Sequence, residues 1–217
     1  MKKLLLLTGM ITLLLSISGC LSTLYPLFTE KDLVFDARLF GEWKEKGDEE
    51  SMLIEKASRQ DLAHLPALQQ LVDKAYIVSL KSKEAGANPT GSNDQQVEQK
   101  FIAFLTRLGT DLYLDFFPTP TARQQQYNTF YGAHFIGMHS FYRVQIHNDR
   151  SIELSQLKEE YLKDLIKQKR VRIKHEDIDG SYIITAPTEE LQQYVLKYGR
   201  VPEAYDGNTV YTKIQSL

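Results

Sequence analysis

Two apolar runs, Phe101-Ile-Ala-Phe-Leu105 and Leu112-Tyr-Leu-Asp-Phe116, constrain this chain more than any other feature. They flank Arg107-Leu-Gly-Thr-Asp111. Strand-forming runs around a glycine-bearing turn predict a β-hairpin over 100–117, turning at Gly109. Neighbouring side chains on a strand point to opposite faces. Both faces of this hairpin are apolar, so both need cover inside the fold. A second hairpin is predicted over His139 to Leu154, turning at Asn148-Asp149. Its alternation is cleaner: Tyr142, Val144 and Ile146 share one face, while His139, Arg143, Gln145 and His147 share the other.

Shorter signals surround these hairpins. Leu39 to Lys44 and Met52 to Ala57 read as strands around a turn at Lys46-Gly47-Asp48, and Ala75 to Lys81 as a third. Between them, Leu65, Leu68, Leu71 and Val72 recur at helical spacing over 61–74, with Pro66 in the first turn. Residues 83–97 are a low-complexity polar insertion between two strands, with nothing to bury. Ser155 is a candidate N-cap for a helix over 156–168 carrying Leu157, Tyr161, Leu162, Leu165 and Ile166. Thr188 caps a second over 189–198, with Gly199 just beyond its end. Short strands at 171–175, 180–185 and 208–214 complete a set of nine to ten strands and three helices. Hairpins outnumber βαβ units, so the fold class is mainly β within α+β. The expectation from the hairpins is an antiparallel curved sheet with two to three peripheral helices.

The N-terminus is of a different kind. Lys2 and Lys3 precede an apolar run, Leu4 to Leu15, that is shorter than the ~20 residues a spanning helix needs. That run has the length of a signal-peptide core. It closes on Ile17-Ser18-Gly19-Cys20, which resembles the lipobox of bacterial lipoproteins. The resemblance implies cleavage after Gly19 and a diacylglycerol thioether on Cys20, the only cysteine in the chain. Two or more acyl chains make such an anchor durable. With Cys20 so modified, no disulfide can form. Residues 1–19 are then a signal peptide, 20–38 a lipidated approach segment that packs on the fold, and 39–217 one β-rich domain. Leu21 stands where an aspartate would mark inner-membrane retention. The resemblance therefore implies a place in the cell envelope, at the outer membrane facing the periplasm in a Gram-negative host. Loss of Lys2 and Lys3 leaves 24 of 26 basic residues against 28 acidic ones, a balance unsuited to nucleic acid.

Gly41-Glu42-Trp43, at the start of the first strand of that domain, is similar to the G-x-W element that opens lipocalin and calycin barrels. The resemblance implies a lipocalin-like barrel, with Gly41 as the tight opening into it and Trp43 as the plug at one end. The other reading makes Trp43 a plain core aromatic. No late arginine is placed to cover it.

Candidate chemistry is sparse. Asp115 lies in an otherwise apolar strand, where an unpaired carboxylate is costly, so it needs a partner: His139 or Arg143. Together they read as a buried polar anchor. An acid/base pair with Ser140 or a tyrosine as nucleophile is the catalytic alternative. His134 and His139 lack the companions of a zinc site, and no metal or cofactor is expected. The excursion from Thr119 to Gly137 carries Tyr127, Phe130, Tyr131 and Phe135, candidate contacts for a ligand or partner. Lys163, Lys167, Lys169, Arg170, Arg172 and Lys174 form a basic stretch that suits a helix C-terminus or anionic headgroups. The preferred function is non-enzymatic: a membrane-tethered β domain that binds an apolar ligand or an envelope protein. An assembly role through surface contacts comes second, and an envelope hydrolase using His139 and Asp115 third.

Overall fold

In the computed structural model, which describes residues 21–48, 50–84, 95–119 and 136–214, the hairpin at 100–117 is one turn of a longer antiparallel meander. The strands are β1 (Ser22–Thr23), β2 (Leu33–Val34), β3 (Gly41–Glu45), β4 (Ser51–Lys56), β5 (Ala75–Glu84) and β6 (Gln95–Leu108). They continue as β7 (Asp111–Pro118), β8 (His139–Asn148), β9 (Ser151–Leu157), β10 (His175–Ile178), β11 (Ser181–Ile184) and β12 (Tyr205–Lys213). Two α-helices, α1 (Glu159–Lys167) and α2 (Thr188–Tyr198), lie between β9 and β12.

From β3 to β9 each strand pairs antiparallel with the next, and β12 pairs with both β9 and β3. Eight strands thus close into a barrel, which removes every sheet edge from that ring. The architecture is lipocalin-like, with extra strands on the outside. β1 inserts between β8 and β11, β10 follows β11, and β2 lies along β6.

Alternation sorts the apolar side chains into an interior and two outer layers. Inside are Leu39, Trp43, Ile54, Tyr76, Val78, Ala103, Leu105, Leu114, Val144 and Ile152. On the outer face of β5 and β6, Ile77, Ile102 and Phe104 pack under Phe28, Leu33, Leu62 and Leu71. On the outer face of β7 and β8, Tyr113 and Phe141 pack under α1, α2 and the approach segment, through Leu21, Leu27, Leu162, Leu165, Leu191 and Val195. Both faces of the 100–117 hairpin are therefore covered, as its sequence requires. Residues 21–34 belong to these layers, since Leu21, Leu27, Phe28 and Leu33 are all buried.

Several local expectations differ. Residues 61–74 do not form an α-helix: Pro66–Lys74 is a 3-10 helix preceded by turns. Pro66 has no N–H to donate and its ring clashes with the carbonyl four residues back, so the helix starts there. Ser155 is not an N-cap. It lies in β9, its Oγ donates to Asn208 Oδ1 at 2.8 Å, and α1 starts only after Lys158. Pairing of β9 with strands on both sides outweighs a local cap. Thr188 opens α2 as its first residue, and its hydroxyl donates to Pro26 O at 2.8 Å rather than capping the helix. Gly199 ends α2 without a left-handed backbone (φ −67). It is glycine because a Cβ there would sit 2.5 Å from Tyr113 Oη and 2.5 Å from Val195 O. Residues 171–174 form no strand. β8 runs through Asn148, and the turn falls on Asp149-Arg150.

Candidate functional site

The barrel is filled at one end and hollow at the other. At the lower end the chain enters β3 at Gly41, whose φ of +124 favours glycine and whose absent Cβ leaves room for the Lys213 side chain 3.1 Å away. Trp43 is fully buried there, and its Nε1 donates to Leu39 O at 2.8 Å. A cation does cover its ring, a lysine rather than an arginine: Lys213 Nζ lies 4.6 Å from the ring centroid and donates to Arg38 O. Tyr76 completes this base. Its hydroxyl accepts from Asp36 N–H at 2.7 Å and donates to Asp36 O, and Phe35 stacks on its ring. Burial pushes the Tyr76 phenol up to about 12.

Above this base the same alternation leaves space. A cavity of about 400 Å³ is lined by Met52, Leu80, Phe101, Phe116, Tyr142 and Leu154, with Ser140 and Gln156 among its polar groups. Leu80 shares its face of β5 with the fully buried Val78, yet Leu80 is 36% exposed. An inward-facing leucine reaches solvent only where the barrel is open. Phe101, Phe116 and Tyr142 form an aromatic wall through two edge-on contacts, at 6.2 and 5.5 Å between centroids. The cavity lies toward the end of the barrel where β5 and β7 finish and β6 and β8 begin. Tyr127, Phe130, Tyr131 and Phe135, the aromatic residues singled out between β7 and β8, lie outside the described residues, as do His134 and Cys20.

Asp115 and His139 do come together, on the outer face of the barrel. His139 Nδ1 is 2.6 Å from Asp115 Oδ1, and the other carboxylate oxygen accepts Leu27 N–H at 2.7 Å. Asp115 is 1% exposed and His139 7%. Phe117 packs on the imidazole at 4.7 Å. The pair therefore clamps the approach segment to the wall, with both side chains buried. Ser140, the hydroxyl considered beside it, points through the wall into the cavity. Arg143 shares the outer face with His139 but pairs with Asp111, at 2.8 Å, instead of Asp115.

Among the described residues no three histidine, cysteine or acidic side chains gather as a metal site. In the basic stretch, Lys163 pairs with Glu159 and Lys167 lies near Asp164, both within α1. Sequence reasoning missed the cavity, although its signal was present. Leu80, Phe101, Phe116, Tyr142 and Leu154 are large inward-facing residues at one level of the barrel, but their common level depends on strand register. No protein-family model, curated protein or solved structure matches this chain.

Proposed function

We propose that this chain is a lipid-anchored envelope protein, tethered through Cys20, whose barrel carries one amphiphilic molecule with a single acyl-sized apolar body. The half-filled interior carries this reading. Eight strands enclose space for one small ligand, and about 400 Å³ lies within the ~300–1,000 Å³ of small-molecule sites. A carrier needs a rigid base and an accessible upper chamber, and Trp43, Leu39 and Tyr76 supply the base. The described lining favours an uncharged or cationic head. Asp206 is its one charged side chain, and Ser140 and Gln156 offer hydrogen bonds instead of a cation for a fatty-acid carboxylate.

Native mass spectrometry of protein purified from cells tests this. The expected spectrum shows a bound lipid, displaced by a monoacylglycerol more readily than by the matching fatty acid. Ser140→Trp, which fills the chamber from β8, should abolish that adduct while leaving the barrel folded. A ligand-free spectrum together with no uptake of either probe would overturn the carrier reading.

A second reading, an assembly role through surface contacts, rests on exposed apolar side chains near the chamber. Ile136 is 74% exposed, and Tyr25 and Met138 are also exposed beside the paired Thr23 and His139. It predicts one dominant crosslinked protein in cells from probes at Tyr25 and Ile136, unaffected by Ser140→Trp.

A further inference from the structure

The outer wall of the barrel bears a second concavity of about 400 Å³, bordered by Arg143, Gln145, Ser155, Arg200, Tyr205 and Asn208. Its construction follows from register: Arg143 of β8 faces Ser155 of β9, which faces Asn208 of β12, so the three form one row across three strands. Asp111 holds both arginines, with Oδ1 2.8 Å from Arg143 Nη2 and Oδ2 2.8 Å from Arg200 Nε. Arg200 Nη2 also donates to Thr110 Oγ1. One carboxylate against two guanidinium groups leaves a net positive charge. Each guanidinium also has more donors than these bonds use. Ser155 Oγ donates to Asn208 Oδ1 at 2.8 Å, which leaves the Asn208 amide hydrogens available as donors. The Gln145 amide has no partner among the described residues. Tyr205 provides an apolar side, with the Arg143 guanidinium 5.8 Å from its ring centroid.

We propose that this pocket binds a small ligand through an anionic group, a carboxylate or a phosphate. A structural ion pair would need only Asp111 and one arginine. Here a second arginine, two amides and an empty concave volume converge, and none of the described lining residues is acidic. Guanidinium groups bind these anions in a planar two-pronged geometry that a lysine cannot offer. The site is separate from the barrel chamber, yet Gly207 and Asn208 of the bulged part of β12 border both.

The test titrates the full chain with inorganic phosphate and, separately, with citrate, at an ionic strength held constant with chloride. Unfolding is followed by the fluorescence of Trp43, the only tryptophan. A saturable rise in the thermal midpoint with phosphate assigns a phosphate ester, and one with citrate a carboxylate. Asn208→Asp adds a carboxylate to the pocket while leaving both arginines on Asp111, and should weaken the response roughly tenfold or more. Arg200→Gln should weaken it as well. No response beyond that of chloride, or equal responses in wild type and both variants, would overturn the assignment.

Discussion

Replacing Asp115 with alanine leaves two buried donors without an acceptor: the Leu27 amide at 2.7 Å and the His139 imidazole at 2.6 Å. Water cannot substitute easily, because the carboxylate is 1% exposed beneath the approach segment. A hydrogen bond to a charged group contributes about 1.5–3 kcal/mol. Breaking a buried pair by removing one partner costs about 3–5 kcal/mol in all. Asp115→Ala should therefore lower stability by about 3–5 kcal/mol, a large share of the roughly 5–15 kcal/mol typical of a native protein. With a urea slope of about 2 kcal/mol per molar, the unfolding midpoint should fall by about 2 M. Asp115→Asn keeps one acceptor oxygen and should lose less. The location of the damage is also specified. Amides of residues 21–28 should exchange with solvent faster in both variants, because Asp115 accepts the Leu27 amide and helps to hold this segment against the wall. A urea midpoint within about 0.3 M of wild type for Asp115→Ala, or faster exchange confined to the barrel strands, would refute the clamp.

Three further outcomes follow from the barrel base and the helix ends. Burial holds the Tyr76 phenol protonated up to about 12, so its contribution is complete below pH 10 and lost as pH rises from 10 through 12. Tyr76→Phe should make stability decline less steeply over that window, and equal urea-midpoint slopes for the two proteins would remove the assignment. Lys213→Met deletes the cation over Trp43 and its bond to Arg38 O, and should cost about 1–2 kcal/mol with a shift in Trp43 emission. Unchanged emission would mean that the lysine does not sit on the ring. Gly199→Ala forces a methyl against Tyr113 Oη and Val195 O, and thermal unfolding should report a loss of about 1–3 kcal/mol. A stabilised variant, as expected from a glycine lacking such contacts, would contradict this.

Much of the fold was legible because β periodicity is local. The apolar doubling of Phe101–Leu105 and Leu112–Phe116 required a wall covered on both sides, and the alternation from Tyr142 to His147 sorted β8 into an inner and an outer face. The need for a partner at Asp115 was legible too, since an isolated carboxylate among apolar neighbours is costly wherever the strand lies. Local propensity misled where long-range pairing was stronger. Ser155 carries a capping side chain, but Asn208 of β12 arrives from 53 residues downstream to hold it in a strand. The helical spacing over 61–74 put Pro66 inside a first turn, but a proline has no N–H for the turn before it, and the helix starts at that residue.

From sequence alone came a mainly antiparallel β protein, its inward and outward residues, and an acidic group in need of a partner. Each of these depends on neighbours within a few positions. Closure of the ring by β12, the choice of His139 over Arg143 for Asp115, the lysine above Trp43 and the half-empty interior were decided by tertiary structure. Each joins residues far apart in the chain, at distances set by strand register and barrel closure, which no local pattern encodes.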